Sequence, residues 1–176
     1  MVAKIRRVIT GHNLDGRSVI VSDGKADAVK EMESMPGLAL TDLWETRGSP
    51  ADNTGNADAA DRPVVLEPPA NGTLFRMVEF PPDSAWQGKA DPDAAFRSIG
   101  AGHASDSASD DPMMHMTSTV DYLIVIKGEI WAIVDEGEVC LKPGDVMVQR
   151  GTNHSWSVRT DEPCLLAAVL VNAAPV

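Results

Sequence analysis

The chain has 176 residues, 43% of them hydrophobic, and a formal net charge of −11. That length predicts one domain with a substantial core, and no run of about 18 apolar residues offers a transmembrane helix. The charge is uneven, with 5 bases against 2 acids over residues 1–25, 6 against 16 over 26–112 and 4 against 8 over 113–176. Without a basic stripe for a phosphate backbone, nucleic acid is not an expected partner, and the acidic surface reads as a solubility device. The first residues, Met-Val-Ala-Lys-Ile-Arg-Arg, are basic but lack the apolar stretch of a secretory signal, so a cytoplasmic protein is expected.

In chain order, Ile5–Thr10 and Arg17–Val21 are β-branched runs separated by Asp15-Gly16, the pattern of a β-hairpin. Residues 26–35 predict one short helix ended by Pro36-Gly37, and Leu38–Thr46 a strand carrying Trp44. From Arg47 to Gly72 the chain is rich in Asp, Ala, Asn, Gly and Pro, which predicts a mobile loop with too little apolar surface to order itself. Leu74–Phe80 reads as a strand interrupted by Arg76, and residues 81–112 as a second polar excursion.

After Pro112 the texture changes. Tyr122–Ile126, Ile130–Val134, Glu138–Leu141, Val146–Gln149, Ser155–Val158 and Leu165–Val171 read as six short strands, with Gly-containing turns between most of them. Such regular spacing predicts an all-β barrel or sandwich with no helix between the strands. Residues 1–112 are expected to supply strands and loops packing on a barrel built from 113–171, the whole chain forming one domain. Cys140 and Cys164, both beside apolar segments, exclude a disulfide framework and read as buried free thiols.

Of four histidines, His12 and His103 read as surface residues, whereas His115 and His154 each open a strand of the barrel. Residues two apart on a strand share a face, so His115, Thr117, Thr119 and Asp121 lie together, as do His154, Trp156 and Val158. A polar row where a core face should be apolar faces water or lines a cavity, and the preference of ligand sites for barrel mouths favours the cavity. Trp156 offers a flat apolar wall. Arg76 reads as a surface or ion-pair residue or, turned inward, as a binder of an anionic carboxylate or phenolate oxygen. Gln149 and Asn153 flank the Gly151 turn and are expected to fix its backbone.

These residues resemble the cupin superfamily. Its first motif, H-x-H-x3-E-x6-G, is matched by His115, Thr117, Asp121 and Gly128 with every spacing kept. Its second, roughly G-x5-P-x-G-x2-H-x3-N, is matched from Gly144 through Gly151 to His154, with Gln149 in place of Pro, Val158 in place of Asn and one residue fewer before the turn. The resemblance, strongest to small single-domain barrels encoded beside polyketide and aromatic-metabolite pathways, covers residues 113–171. It implies a cupin-like β-barrel (double-stranded β-helix, or jelly roll) with an N-terminal hairpin and extra sheet strands.

The resemblance also implies a function with alternatives left open. One is a small-molecule enzyme of oxidoreductase or cyclase/isomerase type acting on an aromatic or polyketide-like substrate. His115, His154 and Asp121 would be catalytic, and Thr117, Trp156 and Arg76 would bind substrate. The same His115, Asp121 and His154 would hold one divalent ion (Fe, Mn or Zn), two imidazoles and a carboxylate being a non-haem iron ligand set. Asp121, however, is one methylene shorter than the Glu it replaces, and Thr117 is a poor ligand. The metal-free alternative has Asp121 accept a hydrogen bond from an imidazole that then acts as general base or acid. Beyond these stand a non-catalytic ligand-binding cupin and a structural cupin with a vestigial metal site. A homodimer is expected, with strands 17–21 and 74–80 as interface elements, and no membrane partner.

Overall fold

The computed structural model describes residues 2–106 and 108–175. Among the described residues, eleven strands form three antiparallel sheets. Strands β1 (Arg6–His12) and β2 (Ser18–Lys25) form the expected hairpin, with a register shift after Ile9. The large sheet runs β3 (Val29–Glu31), β4 (Ala39–Thr46), β5 (Thr73–Phe80), β11 (Cys164–Asn172), β6 (Thr119–Lys127) and β9 (Val146–Arg150). The small sheet runs β10 (His154–Ser157), β7 (Ile130–Val134) and β8 (Gly137–Leu141). All six strands expected after Pro112 are present, and among the described residues no helix interrupts them.

The alternation that predicts the strands also builds the core. Along β6, Thr119, Asp121, Leu123 and Val125 are buried while Tyr122, Ile124 and Ile126 are exposed. Val125 and Leu166 of the large sheet pack on Ile130, Ala132 and Leu141 of the small one, so the two sheets enclose a common interior. The N-terminal hairpin lies outside, where Ile5 and Ala26 pack with Leu43, Met77 and Ala167. The turn from β6 to β7 needs Gly128. Its φ is +75°, and an added Cβ would lie 2.5 Å from the Pro163 carbonyl oxygen.

Several expectations are corrected. Residues 26–35 are not a helix: Val29–Glu31 pairs with the edge of β4, and a turn buries Met32 and Met35. A short isolated helix carries the full nucleation penalty, whereas the neighbouring sheet edge offers partners at once. The 81–112 excursion contains two short helices, α1 (Asp83–Trp86) and α2 (Pro92–Ser98), and buries Trp86, Phe96 and Ile99. Asp91 caps α2 by accepting from Ala94 N–H at 2.9 Å, with Pro92 at the first helical position.

The 47–72 segment is without regular structure, as expected, yet it is held down. Arg62 pairs with Asp42 at 3.0 Å and with Glu45, Arg7 pairs with Asp58, and Ala60 is buried. Strand 74–80 is no sheet edge, because β4 and β11 flank it, and of its large apolar side chains only Phe75 is exposed. Cys164 is buried and Cys140 half-buried, both free; burial pushes the Cys164 thiol up to about 12. Among the described residues no helix is long and apolar enough to cross a membrane.

Candidate functional site between the two sheets

His115 and His154 meet on the backbone first. Each donates its N–H to the other's carbonyl at 2.9 Å, an isolated bridge joining the segment that leads into β6 to the start of β10. The rings follow, with centroids 4.1 Å apart and planes at 51°. Both side chains are buried, and Trp156 meets the His154 ring edge-on with centroids 5.8 Å apart. Phe96 from α2 covers the other side of the pair, 4.9 Å from His115.

Backbone contacts settle the tautomers. His115 Nδ1 donates to the Met113 carbonyl at 2.9 Å, and His154 Nδ1 to the Thr152 carbonyl at 2.9 Å. A carbonyl only accepts, so each neutral ring carries its proton on Nδ1 and leaves Nε2 a bare acceptor. His154 Nε2 accepts from the Gln149 amide at 3.0 Å; His115 Nε2 has no partner among the described residues. Burial holds both imidazoles below the usual range, His154 at about 3, with the neighbouring His115 adding to the effect there. Both are therefore neutral at neutral pH.

Asp121 stands directly across from Gln149 in the β6–β9 register, and its Oδ2 accepts from the Gln149 amide at 3.2 Å. Burial raises its carboxyl to about 6, against the opposing pull of Thr119, Arg76 and Gln149. The metal-free expectation is thereby altered: Gln149, not an imidazole, is the hydrogen-bond partner of Asp121. Gln149 belongs to the site rather than to the turn. The signal was in the alternation, since Gln149 shares the inward face of β9 with Met147 while Val146, Val148 and Arg150 are exposed. Asn153 does tie loops together, donating to Asp106 and Asp135.

His115, His154, Asp121, Thr117, Trp156 and Arg76 all line one cavity of about 110 Å³, with largely apolar walls that include Leu40, Phe80 and Ile99. The Thr117 and Thr119 hydroxyls bond each other at 2.7 Å. Arg76 does turn inward, fully buried, but its guanidinium is engaged by Asp42 at 2.8 Å and by the Val65 and Leu66 carbonyls. It is thus no free arm for an anionic oxygen. His12 and His103 are exposed, and His103 lies 3.3 Å from Glu67.

The donor set His115, Asp121 and His154 does not fit a divalent ion in this arrangement. Among the described residues no three His, Cys, Asp or Glu side chains converge on a cation position. Gln149 stands among them, its N–H groups donated to His154 Nε2 and Asp121 Oδ2, while Asp121 Oδ1 has no partner among the described residues.

Comparison with known proteins adds family context. No family model matches the chain. It is 30% identical to a cupin-domain-containing oxidoreductase of Neurospora crassa, over 97% of this chain and 74% of that one. It is also 30% identical to a phomopsin biosynthesis cluster protein of Diaporthe leptostromiformis, over 88% and 70% of the respective chains. Among solved structures, a putative ethanolamine utilization protein from Salmonella typhimurium aligns over 98% of this chain and 100% of that one, with 14% identity and a TM-score of 0.47.

Proposed function

The chain belongs to the cupin-domain family, and from that premise we propose that it is a small-molecule enzyme whose interior His115, His154 and Asp121 move a proton on a compact, largely apolar substrate. Relatives named as an oxidoreductase and as a biosynthesis cluster protein support turnover of a metabolite over passive binding. Oxidoreductases and cyclases or isomerases of carbonyl compounds share one step that this chain's own residues can carry, removal of a proton from carbon beside a carbonyl. The C–H bond breaks, the proton goes to His115 Nε2, and the electron pair moves onto the carbonyl oxygen as an enolate. His115 then returns that proton at the other end of the conjugated system, which completes an isomerisation, while Asp121, whose carboxyl titrates at about 6 and is ionised at pH 7, offsets the imidazolium charge. His154 stays neutral beside His115 and leaves the new positive charge without a second cation to oppose it.

The observation that supports this reading is the unpartnered Nε2 of a neutral, buried His115 facing an apolar cavity. Its test is proton exchange. In deuterated buffer the wild-type chain should exchange the α-protons of small cyclic 1,3-diketones and aryl ketones faster than buffer does. His115→Ala should lose that rate by about 10²-fold or more while keeping its far-ultraviolet circular dichroism. Exchange that survives unchanged in His115→Ala would overturn the assignment, and binding without exchange would favour a ligand-binding cupin.

The homodimer is part of the same proposal. Its support is the exposed apolar face where Tyr122 and Ile124 of β6 adjoin Val148 and Val146 of β9, a surface that a second copy would cover.

A further inference from the structure

Besides His115 Nε2, two oxygen acceptors on side chains of the cavity wall lack partners. Asp121 Oδ1 and Gln149 Oε1 are buried without a hydrogen-bond partner among the described residues, although both side chains line the cavity. Orphaned acceptors at such depth are rare, because each gives up its hydration for nothing in return. The Gln149 N–H groups are already committed to Asp121 Oδ2 and His154 Nε2, and the Thr119 hydroxyl, which bears on the Asp121 carboxyl, leaves Gln149 Oε1 without a donor.

Positive charge is equally scarce. Arg76 is committed to Asp42 and to two backbone carbonyls. Each imidazole directs its Nδ1–H at a backbone carbonyl, so neither presents that proton to the cavity. Asp121 itself would repel an anion. The cavity, at about 110 Å³, is of the order of the roughly 150 Å³ space that takes a benzene ring.

Resting on the proton-transfer reading above, the geometry points to a substrate class: a neutral single-ring compound that brings a hydroxyl donor, a phenol or an enol, to Asp121 and Gln149, and not a carboxylate. The donor satisfies an acceptor that the protein leaves open, while the ring lies among Leu40, Phe96 and Trp156. A carboxylate of the same size brings acceptors to acceptors and finds no free cation.

Three one-ring probes test this with the full chain: phenol, its near-isostere toluene, and benzoate, titrated at pH 7 by calorimetry or ligand-observed NMR. Phenol should bind about tenfold tighter than toluene despite its greater hydration, and benzoate should not saturate. In the double variant Asp121→Leu with Gln149→Leu the phenol advantage should shrink severalfold while toluene still binds, which also shows that the cavity persists; Asp121→Val with Gln149→Met gives the same comparison if that variant does not fold. Toluene binding as tightly as phenol, or benzoate binding as tightly as phenol, would overturn the inference, since water or relaxed side chains would then satisfy the acceptors. Phenol preference without any α-proton exchange by the wild type sinks the proton-transfer reading alone. Exchange accompanied by a benzoate preference sinks this inference alone.

Discussion

Asp121 is held in an environment that opposes its charge, and the consequence can be measured. Its folded carboxyl titrates at about 6 against an ordinary 3.8, because burial outweighs its polar neighbours. As pH rises through this window the unfolded chain ionises first, so stability present near pH 4 is lost by the time pH passes 6. Asp121→Asn removes that loss: it should be more stable than wild type at pH 8 by about 1–3 kcal/mol, and about equal to it near pH 4. Thermal melts at the two pH values decide it, and no stabilisation at pH 8 would refute the buried-charge account. His154 has the opposite sign. Its folded form resists protonation down to about 3, so it contributes stability above 6.5 that drains away as pH falls toward 3. At this scale the sequence was informative where spacing sufficed. Counting in twos placed His115, Thr117 and Asp121 on one inner face and His154 and Trp156 on another, and all five line the cavity. What it did not disclose was that Arg76 turns inward and is already engaged, because Asp42 lies on another strand, or that Gln149 bridges Asp121 to His154 across a strand pair.

Elements were legible in proportion to their regularity. The strands after Pro112 alternate cleanly because one face of each meets the interior. Residues 26–35 misled because Met32 and Met35 sit at a helical spacing of three while being buried in a turn. The 81–112 segment was masked by its acids, although Asp91-Pro92 is a helix start and Phe96 and Ile99 supply an apolar face. The β6–β7 turn carries the sharpest prediction at this scale. Gly128→Ala forces a side chain into left-handed backbone and against the Pro163 carbonyl, which should cost roughly 1–3 kcal/mol or more. A denaturant midpoint shift checks it; an unchanged midpoint would mean that the turn relaxes freely.

On the scale of the molecule, the outer surface divides into a part that the chain covers and a part that it does not. The N-terminal hairpin shields Leu43, Met77 and Ala167, while Tyr122, Ile124, Val146 and Val148 stay exposed together at the β9 edge. The proposed dimer through this face predicts twice the chain mass by light scattering at micromolar concentration, and monomer mass for Ile124→Lys with Val148→Lys. A wild-type monomer would refute it. Strand 74–80 contributes less to such a surface than its composition suggested, whereas 17–21 leaves Val19, Ile20 and Val21 exposed. β2 is exposed along its whole length, but β5 is enclosed by neighbours and offers only Phe75 among its large apolar side chains.

The reciprocal main-chain bonds between His115 and His154 have a bearing on how this protein fails. The two rings to which the proposed chemistry is assigned ride on the same stitch that fastens one wall of the vessel to the other. Any fluctuation that spreads the walls there draws the rings apart, so the earliest partial opening and the loss of the reacting geometry are one event. Hydrogen-exchange protection at those two amides should therefore decline in step with turnover as temperature rises, ahead of the collapse of the walls themselves.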